Sequence, residues 1–208
     1  MCDNIPVGIS ACLPGENVRF DDGHKRLAFA VNELASWVRF EHVCPERAIG
    51  LPASRPAWRL IKSADGEIAL RFSNHTAGDL TQTMQRFAAG HIAGLEHLRG
   101  YIFCAKSPSC GMERAWVYEP AGNNNRKSGT GAFTAELKRQ MPWLLVEKDG
   151  RLQDPAIREN FVERIYTLFL LGERAAIEKP QAFCLRPVAD YPEQRAFPAT
   201  EGASRLSP

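Results

Sequence analysis

Short apolar runs, each stopped by turn-forming residues, alternate along the chain with stripes of helical spacing. Val7-Gly8-Ile9-Ser10 reads as a first strand, closed by the loop Ala11-Cys12-Leu13-Pro14-Gly15. Apolar positions at Leu27, Val31, Leu34, Ala35 and Val38 predict a helix over 27–38. Phe40 to Val43 predicts a second strand, stopped by Cys44-Pro45-Glu46; the prolines at 45, 52 and 56 predict an extended loop after it. Two strand-like runs, Trp58 to Ile61 and Ile68 to Phe72, flank Ala64-Asp65-Gly66, which reads as a hairpin turn. A long helix is expected over 76–98, striped by Leu80, Met84, Phe87, Ala88, Ile92 and Leu95. Tyr101-Ile102-Phe103 is a third central strand, and Ala115 to Tyr118 a further extended run. A polar, Gly-rich loop over 122–131 precedes a helix over 132–139, and Leu144 to Glu147 is the last strand. Asp154-Pro155 combines an N-cap with a proline in the first turn and predicts a helix to about Arg174. The alternation of strand and helix predicts an α/β fold: a mostly parallel, Rossmann-like sheet flanked by helices, with a C-terminal helix and tail.

Composition narrows the picture. The chain has 208 residues, 44% hydrophobic and 24% charged, which fits one globular domain with an appendage. The expected division is a main domain over 1–150, a helical extension over 151–178 and a poorly ordered tail over 179–208, where Pro, Ala, Ser and charge dominate without periodicity. No apolar stretch approaches the roughly 20 residues that span a bilayer, and the start lacks a signal-peptide pattern, so the expected setting is cytoplasmic, with no membrane partner. The net charge of +2 neither demands nor excludes nucleic acid.

In a reducing compartment the six cysteines read as ligands, catalytic groups or core residues rather than disulfides. No CxxC pair is present, which argues against a zinc ribbon. Cys12, Cys44 and Cys110 each fall in a loop just after a predicted central strand. In a parallel sheet the ligand crevice lies beyond the carboxyl ends of the strands, so the three thiols converge if those strands are neighbours. Cys104 sits nearer its strand and is expected to point into the core; Cys2 and Cys184 lie in the terminal segments. Three soft ligands admit an iron–sulfur cluster with one open iron, a zinc ion with His24 as fourth ligand, or three buried thiols that bind nothing. Glu46, two residues after Cys44 and stiffened by Pro45, is placed to serve as general base for a water. Lys106, Ser107, Ser109 and Arg19 would add hydrogen-bond donors for a polar substrate. The Ser128-Gly129-Thr130-Gly131 stretch could hold an anion on free helix N–H groups, but it lacks the GK[ST] ending of a P-loop. His91 and His97 read as surface or structural residues.

Four segments in order resemble the TudS-type thiouracil desulfidases: Ser10-Ala11-Cys12-Leu13-Pro14-Gly15, Val18-Arg19-Phe20-Asp21-Asp22-Gly23-His24-Lys25, Cys44-Pro45-Glu46 with Gly50-Leu51-Pro52, and Lys106-Ser107-Pro108-Ser109-Cys110-Gly111. The resemblance runs from about Ile5 to about Val146. It implies an α/β domain, a [4Fe–4S] cluster held by Cys12, Cys44 and Cys110, and Glu46 as the residue that activates water or shuttles protons. The implied reaction replaces C=S by C=O in a thiolated pyrimidine or nucleoside and releases hydrosulfide without net redox change. Many relatives carry Ser where this chain has Ala105. Two-domain relatives of the RudS type act on 4-thiouridine in tRNA, and the segment from Asp154 to Arg174 resembles the start of their second domain. A tRNA substrate is therefore the competing enzymatic reading, with Arg126, Lys127, Lys138 and Arg139 as phosphate contacts. A cluster or zinc module that senses or binds without catalysis is the competing reading of another class.

Overall fold

Six consecutive buried residues, Ile5–Ser10 (β1), form the spine of the first sheet. A strand buried on both faces suits the interior of a parallel sheet, where helices cover each side. The computed structural model describes residues 4–63, 65–74, 78–119 and 125–177. Four strands make the first sheet in the order β2-β1-β5-β8, all parallel: Val38–Val43 (β2), β1, Gly100–Phe103 (β5) and Leu145–Lys148 (β8). The second sheet has the order β4-β3-β6-β7 and is mixed. In it Trp58–Lys62 (β3) runs antiparallel to Ile68–Phe72 (β4) and parallel to Ala115–Tyr118 (β6), and Asn125–Gly129 (β7) closes the edge antiparallel to β6. Five helices accompany the strands among the described residues: Ala28–Asn32 (α1), Pro45–Ala48 (α2), Thr81–Ile92 (α3), Ala132–Gln140 (α4) and Pro155–Ile177 (α5). The α/β class with a parallel, helix-flanked sheet and a C-terminal helix is as the pattern predicts.

Residues Met1–Gly172 form one compact unit; of the second, Glu173–Pro208, the described part is the end of α5. Within the first unit the parallel sheet separates two cores. Tyr101 and Phe103 share one with Met84 and Ala88 of α3, Phe133 and Leu137 of α4, and Leu60 and Leu70 of the second sheet. Val7, Ile9 and Ile102 face the other, with Phe29, Phe161 and Ile165. Gly8 makes the first core possible: a Cβ there would collide with the Tyr101 ring.

Several boundaries differ from the pattern. The helix expected over 27–38 is only α1 plus a 3-10 turn at Leu34–Ser36, because Val38 already pairs with Ile5 in the β1–β2 ladder. The helix expected from 76 starts at Thr81, whose N–H donates to the Asp79 carboxylate (2.8 Å), and gives way to a 3-10 turn at Ala93–Leu95. Pro45 starts helix α2 instead of prolonging a loop, since the first helical position needs no N–H. The Gly-rich segment is an edge strand over Asn125–Gly129 rather than a loop; its beginning, 122–124, lies outside the described residues. The Asp154 cap holds, with the Ala156 N–H donating to its carboxylate at 2.9 Å. Cys2, Cys184 and the tail expected over 179–208 lie outside the described residues.

Candidate active site

Strands β2, β1 and β5 are parallel neighbours, so their carboxyl ends share one rim. Cys44 follows β2 directly, Cys12 follows β1, Cys104 follows β5, and Cys110 sits in the next loop. All four thiols are free and line one cavity of about 440 Å³. Cys104 thus faces the cavity rather than only the core; its thiol is hydrogen-bonded with that of Cys12. His24 is exposed, accepts the Arg26 N–H through Nδ1 and does not line the cavity. Among the described residues no three His, Cys, Asp or Glu side chains gather closely enough to share a single metal ion. That disfavours the zinc arrangement with His24.

Backbone hydrogen bonds fix the loop that carries Cys110. The Ser107 hydroxyl accepts the N–H groups of Ser109 (3.2 Å) and Cys110 (3.1 Å), and the Gly111 N–H donates to the Ser107 carbonyl (2.8 Å). Helix α4 then clamps the loop from outside. The N–H groups of Gly131, Ala132 and Phe133 donate to the carbonyls of Gly111 (2.7 Å), Pro108 (3.0 Å) and Ser109 (3.0 Å). The helix start expected to hold an external anion therefore holds the chain's own carbonyls, and its free donors are spent. Ser10, at the end of β1, accepts the Cys104 N–H (3.0 Å) and is bonded to the Cys110 thiol.

Glu46 lies in the first turn of α2 and lines the cavity. One carboxylate oxygen accepts the Ser109 hydroxyl (2.8 Å), and the other pairs with the Arg55 guanidinium. Ser109 is fully buried and does not line the cavity; of the two serines expected to meet substrate, Ser107 reaches the cavity and Ser109 braces Glu46. Arg19, Lys25 and Lys106 also line it. Arg19 pairs with Asp21 (3.2 Å) and Lys25 with the buried Asp149 (2.6 Å), whereas Lys106 is exposed, with a left-handed φ of 65°. Asp149 also accepts the N–H of Ala105 (2.8 Å). Arg126, Lys127, Lys138 and Arg139 do not line the cavity; Lys127 lies over the Trp116 ring and Arg139 pairs with Glu136. His91 stacks on Phe87 and His97 pairs with Glu41 at 2.5 Å, as expected of structural residues.

Arg55, Asp149 and the Lys25 pairing were not apparent from sequence. Arg55 carried one usable signal: the single charged residue between Pro52 and Pro56. Cys12, Cys44 and Cys110 are held toward the neutral thiol form. Burial, followed by the Glu46 and Cys44 charges, pushes Cys110 well above the ordinary thiol range; burial also raises Cys44. The Cys12–Cys104 hydrogen bond raises Cys12 and lowers Cys104. Buried thiols of this kind ionise when a cationic centre binds them.

A family model for 2-thiouracil desulfurase matches residues 7–149. A solved [4Fe–4S]-dependent thiouracil desulfidase, TudS, superposes with a TM-score of 0.56 at 27% identity, covering 76% of this chain and 98% of that one. Two deoxyribodipyrimidine photo-lyases match shorter stretches. The Synechococcus sp. protein is 60% identical over 37 residues, 18% of this chain and 8% of that protein. The Escherichia coli K12 protein is 34% identical over 83 residues, 36% of this chain and 18% of that protein. The matched stretches thus span less than a fifth of either photo-lyase.

Proposed function

The chain belongs to the 2-thiouracil desulfurase family, and on that premise we propose that it is a [4Fe–4S]-dependent desulfidase converting C=S to C=O in a thiolated pyrimidine, as free base or nucleoside. The observation that carries this reading is the convergence of thiols from three strand ends on a cavity that also holds Glu46. The donor set suits a cluster. Thiolates are the ligands of iron–sulfur centres, and these thiols share a cavity without crowding around a single-ion position. Cys12, Cys44 and Cys110 would hold the cluster, leaving one iron without a protein ligand. When bound, the cluster supplies a Lewis-acidic iron that makes the thione sulfur a better leaving group.

The chain's own residues do the rest. Glu46, with each oxygen already holding one donor, keeps lone pairs free toward the cavity and takes a proton from the attacking water. The hydroxide oxygen bonds to the ring carbon, the carbon–sulfur bond breaks and sulfur leaves as hydrosulfide; substrate plus water gives the oxo-pyrimidine plus hydrogen sulfide, without net redox change. Cys104 lines the same cavity and would stand beside the cluster ligand Cys12. Lys106 and Arg19 offer donors to polar groups of the substrate from the cavity wall.

The test is anaerobic cluster reconstitution followed by incubation with 2-thiouracil, 4-thiouracil, 4-thiouridine and tRNA bearing 4-thiouridine, while following thione absorbance and trapped hydrosulfide. The four substrates separate base, nucleoside and tRNA activity. No turnover by cluster-loaded protein refutes the reading. Glu46→Ala should keep the cluster absorbance and lose hydrolysis; loss of the cluster would make Glu46 a structural residue or ligand instead.

A further inference from the structure

A guanidinium stands behind Glu46. The Arg55 side chain is 2% exposed, yet it lies in a loop rather than in a helix or strand. Nη2 pairs with Glu46, and Nη1 donates to the carbonyls of Pro52 (2.6 Å) and Ala53 (3.0 Å). Both terminal nitrogens reach the Val18 carbonyl at 3.3 Å, beside Arg19 on the opposite loop. The Arg55 backbone is anchored too, its N–H donating to Phe20 (3.1 Å), while Pro56 restricts it to extended conformations. The guanidinium is thus fixed before it meets the carboxylate.

We propose that Arg55 is a positioning residue for Glu46, a role that rests on the desulfidase reading above. Arg55 holds one carboxylate oxygen and Ser109 the other, so the plane of the carboxylate cannot turn. The lone pairs left over then point at one place in the cavity, where a water must lose its proton. A planar fork of five donors can bond a carboxylate and several carbonyls at once; an ammonium cannot hold that arrangement. Stability alone explains the pair poorly, because a buried ion pair seldom outperforms an apolar replacement of similar volume. The orphaned Arg55 Nε, buried with no partner among the described residues, is a cost that a purely structural residue would avoid.

Arg55→Lys, Glu46→Gln and the double variant test this by four readouts: kcat, KM, cluster absorbance and urea midpoint. Arg55→Lys keeps a positive charge beside Glu46 and so avoids leaving a buried carboxylate alone. The expected result is a kcat lowered about 10- to 100-fold, as for a misplacement of about 1 Å. KM should stay within about twofold and cluster absorbance should be unchanged. The double variant should be no slower than Glu46→Gln alone, because Arg55 acts through that carboxylate. A merely structural role would lower cluster content or the urea midpoint and would multiply with Glu46→Gln. Wild-type kcat in Arg55→Lys, multiplicative losses, or a rate loss that tracks cluster loss overturns the inference while leaving the desulfidase reading standing. Absence of turnover by loaded wild-type protein overturns that reading itself.

Discussion

Replacing Gly131 with alanine should damage the Cys110 loop while leaving the rest of the fold in place. Gly131 has φ −60° and ψ 141°, which alanine adopts without strain, so the effect is steric. The new Cβ would lie 2.6 Å from the Gly111 nitrogen and 2.5 Å from the Ser109 carbonyl carbon, both backbone atoms that cannot swing aside. Restoring an ordinary contact of 3.4 Å at Gly111 means moving the loop and the start of α4 apart by about 0.8 Å. Overpacking of this kind costs about 1–3 kcal/mol. The displacement also stretches the bonds from Gly131, Ala132 and Phe133 to the loop, at about 1 kcal/mol for each one lost. The opposing gain, lower entropy of the unfolded chain, is only about 0.4–1 kcal/mol, so with two of those three bonds lost the variant should lose about 2–5 kcal/mol. A shift above about 0.5 Å exceeds the tolerance of a preorganised site, so the iron and sulfide retained after anaerobic reconstitution should fall as well. Urea unfolding of the cluster-free protein measures the first effect and iron analysis the second. Gly150→Ala is the control: φ is −68° and nothing lies within 4 Å of its added Cβ, so it should be neutral or slightly stabilising. If the two variants unfold at the same urea concentration and load equal iron, the clamp argument fails.

Other perturbations follow from the same geometry. Asp149→Ala should cost about 1–3 kcal/mol by urea unfolding, because it strands the Ala105 N–H while the half-exposed Lys25 ammonium turns to water; Asp149→Asn, which keeps an acceptor for Ala105, should cost less. Gly90→Ala within α3, where a Cβ meets nothing within 4 Å, should stabilise by about 0.5–1 kcal/mol in the same assay. Arg139, then Gln140, holds the Glu136 carboxyl at about 2, which NMR titration should find. A carboxylate lowered on folding stabilises above its unfolded pKa, and that contribution fades as pH falls through the folded value. The shift should shrink in Arg139→Ala to the part that Gln140 supplies.

What could be read in the sequence was what local pattern encodes. Apolar runs ending in Pro, Gly or Ser located the strands, and the rule that parallel sheets open at their carboxyl ends grouped Cys12, Cys44 and Cys110 before any distance was known. Pairings set by the tertiary fold left no such trace. Lys25 and Asp149 are 124 positions apart, and each sits in a polar turn that explains itself locally. Arg55 lies nine residues from Glu46, but two prolines and a short helix decide that they meet. Ser109 reads in sequence as a substrate contact because it neighbours Cys110; only burial shows its hydroxyl facing Glu46.

The Gly-rich segment shows most clearly why the remainder was hidden. Glycine before a helix signals that something must approach the first N–H groups closely, and the usual inference is a phosphate or another anion. Here the approach is real, but the acceptors are the carbonyls of Pro108, Ser109 and Gly111. A backbone acceptor and a ligand acceptor make the same demand on the helix sequence, so pattern identifies the demand without naming the partner. For this fold the partner is the loop that carries Cys110, and a glycine that resembled a binding signal serves to hold a candidate cluster ligand in place.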